Sequence, residues 1–217
     1  AAPIRPTLPG IDLPQIHTLR NLEDMDRIKT KLHQVSSVLV IGAGFIGLEM
    51  AEQLAHLGKR VHLVELLPQI LPVLDAEMVR PLEHELRDHH IDLRLGTAVT
   101  AFEEGPGQEV TALTSQRDRI PVGVVILSIG VRPESALAQQ AGLQLTPRGH
   151  VVVNSYMQTS DPAIYAVGDV CAAPDPLTGG LSNVPLGGPA NRQGRTCADH
   201  MVRGAAALPY PGSVGTS

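Results

Sequence analysis

The chain has 217 residues, a net charge of −5, no basic block, and only three Tyr, two Phe and no Trp, which argues against nucleic-acid binding. No apolar run reaches the length of a membrane-spanning helix and no secretory signal is visible, so we expect no membrane partner. The two cysteines, Cys171 and Cys197, form no CxxC motif. These features favour one large or two small domains in a reducing cytoplasm.

The sequence of the first 34 residues is typical of connecting chain followed by one helix. Residues 1–15 contain four prolines and one glycine, a composition typical of extended chain rather than of a core element. Asn21 is a suitable N-cap for a helix over 22–34, whose apolar face would consist of Met25, Ile28 and Leu32.

The chain is organised around residues 38–54, which predict a strand, a glycine turn and a helix in that order. The apolar run over 38–41 is typical of a strand buried on both faces. Gly42, Gly44 and Gly47 then follow the spacing of a dinucleotide-binding turn. The first glycine permits the turn, the second lets a pyrophosphate approach the backbone, and the third lets the helix pack closely. The helix N-terminus would supply N–H donors to phosphate.

A second predicted strand, over 60–65, ends in Glu65, which lies 23 residues beyond Gly42. This spacing is close to the value of about 20 at which an acid accepts hydrogen bonds from the adenosine ribose. No Lys or Arg stands at 66–69 to neutralise a 2′-phosphate, so the sequence predicts NADH rather than NADPH. The alternative is an ordinary βαβ turn with a surface glutamate.

The region after Glu65 predicts one helix and a return to the sheet. Asp75 opens a helical pattern that Pro81 should kink or delay, and a third strand follows over 91–95. His84, His89 and His90 lie nearby, but no cysteine or carboxylate cluster completes a metal site, so we expect no metal.

Three further β segments are predicted over 98–103, 108–114 and 119–127, and the last is apolar enough to enter the central sheet. It would end at the carboxyl edge, which makes Ile129 and Gly130 candidate ligand contacts. The predicted fold is therefore α/β: a Rossmann-like parallel sheet with an inserted antiparallel meander over about 35–130.

The remaining chain predicts short elements. A turn over 130–134 precedes a helix over 135–141, and 151–153 is strand-like. A buried strand is expected over 163–169, ending in Gly168 and Asp169. The Asp169 carboxylate would bind a sugar hydroxyl or cap the next turn, and the residues alone favour neither. Residues 175–189 predict loop, and 189–201 predict a helix whose leading N–H groups would face an anion or carbonyl.

Several motifs in fixed order resemble the FAD-dependent pyridine nucleotide-disulfide oxidoreductases. They are LPGID, IGAGFIGLEMAEQL, VHLVE, SIGVRPES, LAQQAGL, MQTSDPAIYAVGDV and PLGGPANRQGR. The last of them is most similar to the coenzyme A-disulfide reductase and NADH oxidase branch. The resemblance covers nearly the whole chain.

The resemblance implies that 22–137 is an NAD(H)-binding domain, and that 1–21 and 138–217 are parts of an incomplete FAD-binding domain. By the same resemblance, the flavin nucleotide would contact Gly168, Asp169, Leu186, Gly187 and Ala190. The NADH site would include Phe45, Ile46 and Glu49 beside the glycine turn, with Glu49 near the nicotinamide. An alternative role for Glu49 is a helix N-terminal carboxylate that the helix dipole favours.

The chain departs from the family at both ends. Family members begin with their own FAD glycine turn and a redox cysteine, and they end with a dimerisation domain. Here neither Cys171 nor Cys197 lies in a redox motif. We therefore expect a fragment of a homodimeric flavoprotein, without catalytic residues of its own, colourless and inactive in isolation.

In the intact protein, NADH would reduce FAD, and FAD would reduce a small-molecule disulfide or oxygen. Two alternatives remain open at this stage. One is a reductase that serves ferredoxin or rubredoxin, and the other is a module that binds NADH without catalysis.

Overall fold

The computed structural model describes residues 1–214 and divides the chain into two compact units. The larger unit is Pro3–Val131. The smaller unit contains Ala1–Ala2 and the chain from Arg132 onward. The boundaries between the units in the sequence fall within two strands of two residues each, β1 (Ala2–Pro3) and β10 (Val131–Arg132).

The larger unit is built on a five-stranded parallel sheet in the order β2-β9-β3-β4-β5. Val38 pairs with Val61 on one side and with Val124 on the other. The predicted α/β fold with a central parallel sheet is thus confirmed. The strands are β2 (Ile16–Thr18), β3 (Ser37–Ile41), β4 (Arg60–Val64), β5 (Asp92–Arg94) and β9 (Val124–Leu127).

Three helices cover one face of this sheet. Because side chains alternate along a strand, Val38 and Val40 of β3 point to the helices while Leu39 points to the opposite face. The predicted N-cap is confirmed, since the Asn21 side chain accepts a hydrogen bond from the Asp24 N–H at 2.9 Å. The helices are α1 (Leu22–Leu32), α2 (Phe45–His56) and α3 (Ala76–Asp88).

Helix α3 begins at Ala76 and continues through Pro81, so the expected delay in its start does not occur. Proline lacks the N–H that would reach the carbonyl of Glu77 one turn earlier. Pro81 is exposed, where water can hydrogen bond that carbonyl.

An antiparallel meander covers the opposite face of the sheet and forms a second core with it. Its strands are β6 (Val99–Glu104), β7 (Val110–Thr114) and β8 (Arg119–Val122). The single strand expected over 119–127 is divided at Gly123. A Cβ on that residue would lie 2.3 Å from Val35 Cγ1, so only glycine fits where the chain passes from meander to sheet.

The segment before β2 differs from its expected role as connecting chain. Leu8, Ile11 and Leu13 pack against the core beneath the meander, and the Phe102 N–H donates to the Pro9 carbonyl at 2.8 Å. Although the prolines keep the segment out of regular structure, the apolar residues between them still bury surface. Residues 3–21 belong to the larger unit.

The smaller unit has a three-stranded sheet in the order β11-β12-β13 and one long helix. Its core includes Val151, Met157 and Cys171. Its elements are α4 (Ala136–Gln140), β11 (Val151–Val152), β12 (Cys171–Pro174), β13 (Leu181–Ser182) and α5 (Gly187–Arg203), with short 3₁₀ turns at Gly168–Val170 and Gly204–Ala206.

The buried strand expected over 163–169 is wrong. Within it, only Tyr165 makes a β-bridge, to Gln158, and Val167 is exposed. A turn at Asp161, closed by the Ile164 N–H at 3.0 Å, and the left-handed Gly168 bound the run on either side. Within the described residues, no strand pairs with this run beyond that single bridge, so it does not form one.

The loop expected over 175–189 also needs correction. It contains the short strand β13, and α5 begins at Gly187, two residues earlier than expected. Across residues 1–214, no helix combines the length and the apolar character that crossing a membrane requires.

Candidate nucleotide-binding sites

The glycine turn of the larger unit has the geometry that the sequence predicts. Gly42 has φ +99°, and a Cβ there would lie 2.5 Å from the carbonyl oxygen of Ser128. A Cβ on Gly47 would lie 1.8 Å from the carbonyl oxygen of Gly42. By contrast, a Cβ on Gly44 would have no neighbour within 4 Å. Gly42 and Gly47 thus shape the turn, and Gly44 leaves an open approach to its backbone.

Helix α2 presents its N-terminus at this open approach. Gly44 is the N-cap residue and no side chain caps the helix, so the first N–H groups lack side-chain partners. These donors and the positive end of the helix dipole suit a phosphate. Phe45 and Ile46 are exposed on the first turn, and Glu49 is exposed one turn later.

Glu65 follows the last residue of β4 and is buried, with only 9% of its surface exposed. Its Oε2 accepts a hydrogen bond from the Ala43 N–H at 2.7 Å, and its Oε1 accepts one from the Leu67 N–H at 2.9 Å. Each carboxylate oxygen retains a second lone pair. The carboxylate is therefore available to a ribose hydroxyl while it already binds the glycine turn.

The end of β9 forms the other side of the turn. The Ser128 N–H donates to the Ile41 carbonyl at 2.8 Å, while the Ser128 hydroxyl is buried and has no hydrogen-bond partner within residues 1–214. Ile129 and Gly130 follow it and are exposed, and Gly130 has φ +105°. A buried hydroxyl without a partner beside Gly47 is a further polar group that a ligand or its water could satisfy.

A second cluster lies in the smaller unit, where Gly168 contacts the first turn of α5. The Gly168 N–H donates to Oε1 of Gln193 at 2.7 Å, and a Cβ on Gly168 would lie 3.6 Å from Ala190 Cβ. Gly168 has φ +77°, a conformation that favours glycine. The structure thus brings together two predicted residues that are 22 positions apart in the sequence.

The other residues of this cluster belong to the same two segments, the turn at Gly168 and the start of α5. Asp169 comes next to Gly168, and its carbonyl accepts a hydrogen bond from Asn183 Nδ2 at 3.2 Å. Leu186 is the N-cap residue of α5 and Gly187 its first residue, and no side chain caps this helix. The α5 N-terminus therefore also offers backbone donors to an anion or a carbonyl.

Both cysteines lack the environment of a reactive thiol. Burial raises the pKa of Cys171 to about 11, and its Sγ donates to the Gly168 carbonyl at 3.3 Å. Burial also raises the pKa of Cys197. A reactive cysteine needs a lowered pKa, so both behave as packing residues.

Three site residues did not emerge from the sequence: Ala43, Asn183 and Gln193. Ala43 acts through main-chain contacts, which leave no pattern in one sequence. Gln193 is 6% exposed in the middle of α5, and its helix position alone could have marked it as a core-facing polar residue.

No group of three or more His, Cys, Asp or Glu side chains within residues 1–214 is arranged to hold a metal ion. His89 instead lies 3.1 Å from Glu85 on the surface of α3.

These residues fit dinucleotide cofactors at both clusters. In each case an uncapped helix N-terminus stands beside a glycine with positive φ, and no side chain blocks the backbone of Gly44. The larger unit adds a buried carboxylate, Glu65, which lies 23 residues after Gly42, close to the sequence spacing of the acid that binds ribose in dinucleotide folds.

The comparison with protein families agrees with these features. Residues 1–194 match the family described as pyridine nucleotide-disulphide oxidoreductase.

Two relatives and one solved structure cover nearly all of the chain. The NADH oxidase of Enterococcus faecalis is 33% identical over 216 residues, which are 99% of this chain and 48% of that protein. The coenzyme A disulfide reductase of Staphylococcus aureus is 32% identical over 202 residues, which are 92% of this chain and 45% of that protein. The crystal structure of reduced Bacillus anthracis CoADR-RHD has a TM-score of 0.92 and 42% identity, and the match covers 99% of this chain and 38% of that one. This chain thus spans about half the length of the curated relatives it matches.

Proposed function

Because the chain belongs to the pyridine nucleotide-disulphide oxidoreductase family, we propose that it supplies the NADH site and part of the FAD site of a flavoprotein oxidoreductase. Members of this family use FAD and NADH. The intact protein would be a homodimer whose electron acceptor is a disulfide, such as coenzyme A disulfide, or oxygen. When both cofactors are bound, NADH supplies a hydride and FAD accepts it.

The observation that carries this proposal is the larger unit's turn. The open backbone at Gly44, the uncapped N-terminus of α2 and the buried carboxylate of Glu65 lie in the order that a dinucleotide requires. Gly44 and the helix N–H groups would bind the pyrophosphate, and Glu65 the adenosine ribose. Phe45, Ile46 and Glu49, exposed on α2, would line the approach of the nicotinamide, with Ile129 and Gly130 opposite.

In the smaller unit, we assign Gly168, Asp169 and the residues that begin α5 to the flavin nucleotide. The contact between Gly168 and Ala190 supports this assignment, because it places two family motifs side by side. Leu186 and Gly187 would present backbone groups to the flavin. With this assignment, 22–137 would form the NAD(H) domain, and 1–21 with 138–217 would contribute to the FAD domain, although residues 3–21 lie in the same compact unit as the proposed NADH site.

We propose that the intact enzyme prefers NADH to NADPH. The Glu65 carboxylate is held by two backbone N–H groups and cannot easily turn away from a 2′-phosphate. No Lys or Arg at 66–69 would neutralise the phosphate. The like charges would therefore repel each other in a site of low dielectric.

Equilibrium titration of the chain with NADH and NADPH, followed by fluorescence or calorimetry, tests the proposal. We expect NADH to bind at least about tenfold more tightly, which corresponds to about 1.4 kcal/mol. Equal or reversed affinities would contradict the assignment of Glu65, and no binding of either nucleotide would contradict the NADH site itself.

A further inference from the structure

Glu65 joins the glycine turn to the loop that follows β4. One carboxylate oxygen accepts the Ala43 N–H at 2.7 Å and the other accepts the Leu67 N–H at 2.9 Å. Glu65 is buried, and so is its bond to Ala43, where water competes little, whereas its bond to Leu67 is partly buried. Both donors are backbone N–H groups, and among the described residues this side chain is the acceptor of each.

Ala43 also bonds to the 66–74 loop through its own carbonyl group. Its carbonyl oxygen accepts the Leu71 N–H at 3.0 Å. Leu71 is buried and has φ +42°, a conformation that a leucine rarely adopts without support from its surroundings. The Leu67 carbonyl in turn accepts the Gly96 N–H at 2.9 Å. The loop over 66–74 is thus bonded to the turn through Leu71 and to the chain after β5 through Leu67.

We infer that Glu65 is a positioning residue, which holds the glycine turn and the 66–74 loop in their binding geometry before any nucleotide arrives. This role is separate from its proposed contact with the ribose and rests on bonds within the protein. It deepens the proposed function, because the turn held in this way is the proposed pyrophosphate site.

A carboxylate is the side chain that this role requires. Two backbone N–H groups converge on it, and each needs an acceptor. Glutamine offers one acceptor oxygen and turns N–H donors toward the other backbone N–H. Methionine has a similar length and offers no oxygen at all. Replacing Glu65 to admit NADPH would therefore also loosen the turn on which both nucleotides depend.

The first experiment uses the full chain without nucleotide. Amide hydrogen exchange at Ala43 and Leu67 is compared in the wild type, Glu65→Gln and Glu65→Met. We expect Glu65→Met to speed exchange at both amides by about tenfold or more, and Glu65→Gln to speed at least one of them. Glu104→Gln, which removes the same charge from an exposed position on β6, is the matched control and should leave both rates unchanged.

The second experiment distinguishes the effect of Glu65 on the glycine turn from its proposed contact with the ribose. Affinities for ADP and for 2′,3′-dideoxy-ADP are measured for the wild type and for Glu65→Met. The dideoxy ligand keeps the pyrophosphate but lacks the hydroxyls that a carboxylate would bind. We expect Glu65→Met to lower the affinity for 2′,3′-dideoxy-ADP by about fivefold or more, because the substitution disturbs the turn itself.

The two experiments fail in different ways. If both amides exchange at the wild-type rate in Glu65→Met, or if the loss of affinity is confined to ADP, the positioning role is overturned while the NADH site stands. If the wild type binds neither ADP nor NADH, the proposed function fails and the exchange data still decide the positioning role. Should Glu65→Met not fold, the scalar coupling between Ala43 N and Glu65 Cδ in the wild type decides, and its absence would overturn the inference.

Discussion

The glycine turn contains two positions where the surrounding backbone excludes a Cβ and one where it does not. Gly42 and Gly47 would each bring a Cβ within 2.5 Å or less of a carbonyl oxygen, while Gly44 faces open space. The sequence motif assigns a different role to each of the three glycines. The structure adds that the fold itself requires glycine at 42 and 47, whereas Gly44 is left open for the proposed phosphate contact.

We expect Gly47→Ala to lower the free energy of unfolding by about 1–3 kcal/mol or more, because its Cβ would overlap the Gly42 carbonyl. Gly44→Ala should change that free energy by less than about 1 kcal/mol. It should lower the affinity for NADH about tenfold, because the methyl group would occupy the space through which the phosphate approaches the backbone. Urea denaturation and NADH titration of both variants check the pair. Equal stability losses would contradict the distinction.

The cysteines allow a second test at the level of single residues. With a pKa of about 11, Cys171 has about one thiolate in a thousand at pH 8. We expect a thiol reagent such as DTNB to modify the folded chain slowly at both cysteines, with Cys171 the slower, and to modify both at once in guanidinium. Rapid reaction of Cys171 in the native protein would show that the 168–171 turn opens.

The sequence was sufficient to predict that Glu65 ends the second strand beside the glycine turn, because the strand and the spacing from Gly42 define where it must lie. It could not show that the carboxylate also binds Ala43 and Leu67. Those partners are backbone N–H groups, which every residue but proline possesses, so no residue type marks them.

Among the secondary-structure elements, agreement is good where a pattern is long or where a cap defines an end. The strand, turn and helix over 38–54 are placed correctly, as is the return of β9 to the sheet. The strand expected over 163–169 fails, because an apolar run of a few residues does not reveal whether a partner strand is available. The prediction for residues 8–13 is wrong in the opposite sense. The prolines of this segment suggest connecting chain, but its leucine and isoleucine side chains contribute to a core.

The edge strand β2 carries a histidine that should make stability depend on pH. Burial, and then the positive charges of Lys31 and Arg27, lower the pKa of His17 below 6.5, and its Nε2 has no hydrogen-bond partner in the part of the chain that the structure describes. The folded state therefore binds this proton less readily than the unfolded state does. Stability from this group is complete above about pH 6.5 and falls as pH drops toward the folded pKa.

We expect the melting temperature of the wild type to fall more steeply between pH 7 and pH 5 than that of His17→Gln, which lacks the titrating group. Calorimetric melts at several pH values measure the difference, and groups common to both proteins cancel. Parallel melting curves would contradict the assignment. His150, whose pKa burial also lowers, remains in both proteins and does not affect the comparison.

For the whole molecule, the division into two units separates the two candidate sites. The larger unit contains the complete parallel sheet, both of its cores and all the residues proposed for NADH. A unit of this size with its own cores meets the usual requirements of an independent domain.

We therefore expect residues 3–131, expressed alone, to fold and to bind NADH within about threefold of the full chain's affinity. Circular dichroism and NADH titration measure the two properties. If residues 3–131 fold but do not bind NADH, then residues outside the larger unit contribute to the site. Failure to fold would show that the unit depends on the rest of the chain.

The position of β9 in the sheet has a consequence for how the protein is made. Val124 pairs with Val38, and Val125 pairs with Ile16, so β9 separates two strands that the ribosome released much earlier. Until the meander has been synthesised, one edge of β3 has no neighbour and its apolar side chains are exposed. Pairs of such large sequence separation form slowly. The nascent chain therefore passes through an interval in which aggregation competes with folding, and a chaperone would act during that interval.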